Sequence, residues 1–282
     1  MQKQDFLEIA KKEFKGKTLE VVNKQINEFY ELEKQTFKNT KYKVGDSVIL
    51  TPNTYLHGFG NDIKIFDLFA DRGLINKDYE FGASKHFTHH TVSLWHIRKK
   101  IKLADYIVNY SGMSVRYEGK YEMIPYGKLD QFVEKMRKTP HWLWEAESTM
   151  EIRFMPSLAR DKNQLAFIIN GRDKNLKSYF SNDLINEDFD FELANDFISF
   201  KTEKSKEMFK SDRSGGDKGR CAYVVFAIPK SLFEGVLVGR KFEKNKKVLK
   251  HIKEKLPNCY ICNLDGKVLV EWLKQKELII FN

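Results

Sequence analysis

From about residue 47 onward the chain consists of short apolar runs cut by turns and interleaved with a few helical stretches, a texture that confines it to mixed folds. The strongest β runs are 221–228 and 235–238, separated by Pro229. Residues 47–50, 151–155 and 165–169 also read as strands, and 106–117 reads as a strand pair bent at Gly112. Segments 259–264 and 267–270 flank Asp265-Gly266, a hairpin signal that closes this part of the chain. Helices are expected at 63–69, ending at Gly73, at 129–136, near 191–199 and over 242–256, the last basic and amphipathic. There is no GxGxxG or Walker-type phosphate loop and no internal repeat. The pattern therefore favours an α+β fold over a doubly wound parallel sheet.

The first 38 residues differ. Phe6, Ile9, Ala10 and Phe14 form one helical stripe, and Leu19, Val22, Ile26, Phe29, Tyr30 and Leu32 form another. Gly16 separates them, with Thr18 as the expected N-cap. This predicts a helical N-terminal arm over 1–45 and a main domain over 46–282. With 41% hydrophobic and 13% aromatic residues, a chain of 282 residues can fill a sizeable core. No run of eighteen apolar residues exists to span a membrane, and the charged N-terminus lacks an apolar signal core. Three cysteines make no disulfide framework, so a soluble, cytoplasmic protein is expected.

The formal net charge is +10, with cations gathered in 11–17, 34–43, 98–102, 201–220 and 240–255. Clusters of this kind can neutralise phosphates and give salt-dependent binding to RNA or DNA. Lysines that are merely solvated would produce the same count.

Three segments carry residue types suited to chemistry. His57-Gly58 combines an imidazole able to hydrogen-bond a sugar hydroxyl with a glycine that permits close backbone approach; an ordinary polar turn is the competing reading. Tyr106 and Tyr110 would share one face of an extended strand before Ser111-Gly112, where a ring could stack on a planar ligand; core packing explains tyrosines equally well. In the strand from Met150, Glu151 and Arg153 face one way and Ile152 and Phe154 the other, with Glu147 just upstream. A carboxylate there could grip a ribose hydroxyl and stabilise charge on an anomeric carbon, or simply form a surface ion pair.

In their order along the chain, His57, Tyr110-Ser111-Gly112 and Glu151 resemble the three motifs of the ADP-ribosyltransferase superfamily. Residues 103–117 are similar to a strand of DarT-type DNA ADP-ribosyltransferases. Residues 142–153, with 228–239, are similar to a domain family of bacterial abortive-infection and phage-defence loci. The resemblance covers roughly 50–270 in outline and implies a split mixed β-sheet core binding NAD. His57, Gly58, Tyr110, Ser111 and Arg153 would hold the dinucleotide, and Glu151, or Glu147, would be the catalytic carboxylate. Departures exist: Thr149 stands two residues before Glu151, and the strand 222–225, where a DarT-like alignment puts the carboxylate, has none. The implied activity is mono-ADP-ribosyl transfer by a toxin, with RNA, DNA or protein as acceptor and an antitoxin as a possible partner.

The rival is a non-catalytic nucleic-acid-binding or toxin–antitoxin module with a degenerate form of that fold. A metal-dependent nuclease stands further off, resting on His86, His89 and His90, which lack a local carboxylate or cysteine to complete a metal set. Cys259 and Cys262 form a CxxC without a second pair, in an expected strand.

Overall fold

The computed structural model of the chain describes residues 2–59, 63–75, 91–110, 112–117, 120–125, 165–180 and 221–271. Its helices are Lys3–Glu13 (α1), Gly16–Glu33 (α2), Ile63–Arg72 (α3), Leu103–Tyr110 (α4), Lys177–Phe180 (α5) and Lys246–Lys255 (α6). Its strands are Ile49–Leu50 (β1), Thr54–Phe59 (β2), Leu74–Ile75 (β3), Thr91–Ile97 (β4), Ile101–Lys102 (β5), Gly112–Tyr117 (β6), Lys120–Pro125 (β7), Leu165–Asn170 (β8), Cys221–Val225 (β9), Ala227–Ile228 (β10), Phe233–Val238 (β11), Tyr260–Asn263 (β12) and Val268–Val270 (β13).

Seven of these strands make one sheet in the order β13-β12-β11-β8-β2-β4-β9. Neighbours are antiparallel except β11 and β12, which run parallel with α6 as their crossover. The fold is mixed α+β. β8 and β11 are buried at every position, because both faces of the sheet are covered. Alternation along the strands sorts the side chains. On one face, Tyr55, Phe59, Phe167, Ile169, Val236 and Val238 pack with Phe66 and Phe69 of α3 and Ile252 of α6. On the other, Leu56, Ala166, Ile168 and Leu237 pack with Val48, Leu50 and the α4 residues Leu103, Tyr106 and Ile107. The Phe167 ring stacks between Phe233, at 4.3 Å, and Phe59, at 4.7 Å.

The N-terminal arm docks through a third cluster. Phe6, Ala10, Val22, Ile26 and Phe29 meet Ile75, Val225, Phe226 and Ala227. Phe226 sits between β9 and β10 at φ 72°, a conformation that costs a β-carbon-bearing residue about 1–2 kcal/mol. The turn redirects the chain, so that β9 pairs with β4 and β10 pairs with β3. It also places the buried Phe226 ring edge-on to Phe6, at 4.9 Å, and to Phe29, at 5.3 Å.

Beyond α2, residues 35–41 are fastened to the body by buried polar groups. Asn170 Nδ2 donates to the Lys38 carbonyl at 3.0 Å, and Asn39 Nδ2 donates to the Phe233 carbonyl at 3.3 Å. Glu234, which is 2% exposed, accepts from the Thr40 amide at 2.6 Å and from Arg172 Nη2 at 2.6 Å. A carboxylate inside an apolar strand is tolerable only with such partners.

Several sequence expectations need correction. Residues 103–110 are helical, not extended: Leu103, Tyr106 and Ile107 recur at helical spacing and are buried together. Only 112–117 of that segment is a strand, paired with β7. Thr18 is buried within the first turn of α2, whose N-cap is Lys15. α6 begins at Lys246 rather than 242, because Asn245 caps it by accepting the Val248 amide. The stop at Gly73 holds: it adopts φ +85°, its amide bonds the Phe69 carbonyl, and a Cβ there would come within 2.5 Å of the Ile228 carbonyl oxygen. The strand 151–155 and the helices 129–136 and 191–199 lie outside the described residues.

Candidate functional site

His57 and Gly58 lie in the middle of the sheet, paired with Phe167 and Ala166 of β8. In β2 they are the two residues that reach the surface; the other four are buried. The imidazole shares its face with Tyr55 and Phe59 and meets the Phe69 ring of α3 edge-on at 6.4 Å. Tyr110 is the last residue of α4, and α4 packs against the opposite face. A ligand touching both residues would have to pass round an end of the sheet. Ser111, Glu147, Glu151 and Arg153 lie outside the described residues, as do His86, His89 and His90.

The CxxC does not form a thiol pair. Cys259 belongs to the cluster on one face of the sheet and Cys262 to the cluster on the other, as strand alternation requires. Burial pushes the Cys259 thiol up to about 12 and raises Cys262 as well, so both stay protonated and inert at neutral pH. Among the described residues no three His, Cys, Asp or Glu side chains are placed to hold a metal ion. Nor is any described helix long and apolar enough to cross a membrane.

A stacked trio lies at the start of β2. Tyr55 is sandwiched between His96, at 4.7 Å, and Phe180, at 4.3 Å. His96 Nε2 lies 3.2 Å from Asn53 Oδ1, and Asn53 adopts φ 64°, a conformation asparagine tolerates well. Burial, aided by the Arg98 charge, pushes the His96 imidazole down to about 4. Between pH 4 and 6.5 the unfolded chain therefore binds a proton that the folded protein refuses, so stability falls as pH drops through that window. The linkage is at most about 3 kcal/mol, and less because the ring keeps some contact with solvent. Urea unfolding at pH 7 and pH 4.5 should show a larger acid loss for the wild type than for His96→Phe. Equal losses would contradict the assignment.

Among the described residues, 240–250 form an exposed cationic surface. Arg240, Lys241 and Lys244 lie on the turns after β11, held by hydrogen bonds from Phe242 N to the Gly239 carbonyl and from Asn245 N to the Phe242 carbonyl, both 2.9 Å. Lys246, Lys247 and Lys250 continue the patch along α6. The opposite side of α6 buries Ile252 and packs Val248 and Leu249 on the core, so the lysines must face solvent. The N-terminal end of the helix, with its positive dipole, lies within the same patch. Among the described residues, Glu254 approaches Lys250 at 3.8 Å, and Glu243 is half-buried and accepts from Asn263. Sequence reasoning placed all six within the basic cluster 240–255; the cap at Asn245 and the burial of Ile252 show which side of α6 its three lysines share.

Neither protein-family models, nor curated proteins, nor solved structures give a match to this chain.

Proposed function

We propose that the protein binds nucleic acid through the cationic surface formed by residues 240–250. The supporting observation is the exposure of six cations, three on backbone-bonded turns and three on one side of a capped helix. Cations fixed on a rigid element lose little freedom on meeting a phosphate backbone, which makes them more effective than the same number on a loose tail. Backbone contacts of this kind set affinity and register without reading sequence. Replacing Lys244, Lys246, Lys247 and Lys250 together by glutamine, a residue that keeps helix propensity, should weaken binding to a single-stranded RNA or DNA probe on the order of a hundredfold at low salt. Unchanged affinity in a folded variant would rule this surface out.

A more specific reading is that the bound nucleic acid is also modified, by mono-ADP-ribosyl transfer from NAD. It is favoured by His57-Gly58 of β2, where an otherwise buried central strand leaves an imidazole and a glycine only half-buried. In that reading His57 bonds a ribose hydroxyl, the glycine admits the dinucleotide, and a carboxylate, Glu151 or Glu147, stabilises the charge that develops as nicotinamide leaves. In that reading Ser111 and Arg153 would complete the NAD site, whereas α4, which ends at Tyr110, packs on the face opposite His57. Incubating the protein with labelled NAD and separate pools of DNA, RNA and protein tests it. Label should pass to nucleic acid in the wild type and fall on the order of a hundredfold in Glu151→Gln. Absence of transfer to any pool would leave nucleic-acid binding as the whole function.

A further inference from the structure

Phe242 is the one aromatic residue of the segment 240–250, with Arg240 and Lys241 just before it in the chain and Lys244 just after. Part of its ring packs on the core cluster shared with α3 and α6, and part reaches the surface; Phe66, Phe167 and Phe233 of the same cluster are buried outright. A half-buried phenylalanine alone needs no explanation. Its place among six exposed cations gives this one a use.

The ring stands on a fixed backbone. The Gly239 carbonyl accepts from the Phe242 amide at 2.9 Å and from the Glu243 amide at 3.2 Å, and the Phe242 carbonyl accepts from the Asn245 amide at 2.9 Å. The Glu243 carboxylate accepts from Asn263 Nδ2 at 3.3 Å, which ties the turn to the last residue of β12. An aromatic side chain has few torsions, and on a bonded turn it loses little freedom when a ligand covers it.

Cations alone would favour a duplex, because its phosphates are the more densely spaced and each contact releases more counterion there. A ring selects the other way. An unpaired base can turn its face onto an aromatic side chain, whereas the bases of a duplex are already stacked on each other. We infer, resting on the nucleic-acid reading of this surface, that it takes single strands in preference to duplex: Phe242 stacks on one base while Arg240, Lys241 and Lys244 hold the backbone beside it. Stacking of one base on an aromatic ring is worth about a tenfold gain in affinity or more.

The test titrates the full chain at low salt with three fluorescent probes of one length: a single strand, the duplex of the same sequence, and a single strand of abasic nucleotides. The wild type should bind the single strand about tenfold or more tighter than the abasic strand, and tighter than the duplex. Phe242→Leu, which keeps apolar packing but has no ring, should bind the single strand no better than the abasic strand, with the slope of log affinity against log salt unchanged. Phe242→Tyr should restore the preference. Thermal melting checks that the variants fold, and the abasic comparison on the wild type needs no variant. Wild-type affinity for the duplex or the abasic strand equal to or above that for the single strand would overturn the inference and leave the nucleic-acid reading standing, as would a preference that survives Phe242→Leu. Absence of binding to any probe would overturn both.

Discussion

Phe226→Ala should destabilise the protein by about 3–5 kcal/mol and release the N-terminal arm first, since its ring is the buried contact between two arm phenylalanines and the sheet. Removing it leaves a cavity beside Phe6 and Phe29 that the helices cannot fill without moving. The loss is a large fraction of the stability of an ordinary domain, so the variant will be marginal at physiological temperature. Backbone strain adds an internal control. At φ 72° the alanine variant still carries a β-carbon in the left-handed region, whereas Phe226→Gly does not. The glycine variant should therefore be at least as stable as the alanine variant, the reverse of the usual order within strands. Hydrogen exchange should show protection lost in α1 and α2 while β8 and β11 stay protected. Uniform loss across the sheet would mean that the arm and the sheet unfold as one unit.

The elements legible in the sequence were those with one strong local signal. β8 is an apolar run up to its last residue, Asn170, α3 stops just before Gly73, and Asp265-Gly266 lies between β12 and β13. α4 was misread because Tyr106, Ile107 and Tyr110 satisfy both strand preference and helical spacing. Packing against Leu56 and Ile168 decides between them, and those contacts are distant in sequence. The parallel pairing of β11 with β12 could not be read at all, since no local pattern states which strand a crossover returns to.

The site was less legible than the fold. Glu234 had a usable signal, a single carboxylate inside Phe233–Val238, and that signal marks a buried charge in need of a partner. Its partner, Arg172, lies 62 positions away and nothing near it announces the pairing. His57 was chosen for its chemistry, and in β2 it is half-buried between buried neighbours. The separation of His57 and α4 by the sheet is a constraint on any shared ligand that spacing along the chain does not convey.

The largest effect expected is on nucleic-acid affinity as salt changes. If the six exposed cations of 240–250 each neutralise one phosphate, log affinity for single strands should fall with log salt at a slope of about −4. Between about 50 and 200 mM salt the affinity then drops on the order of a few hundredfold. With Lys244, Lys246, Lys247 and Lys250 changed to glutamine, two cations remain and the slope should shrink to about −1.4. Titrating a fluorescent single-stranded RNA with wild type and variant across this salt range measures both slopes directly. A steep wild-type slope that flattens in the variant is the predicted result; the same slope for both proteins, or no binding by the wild type at low salt, would contradict nucleic-acid recognition by this surface.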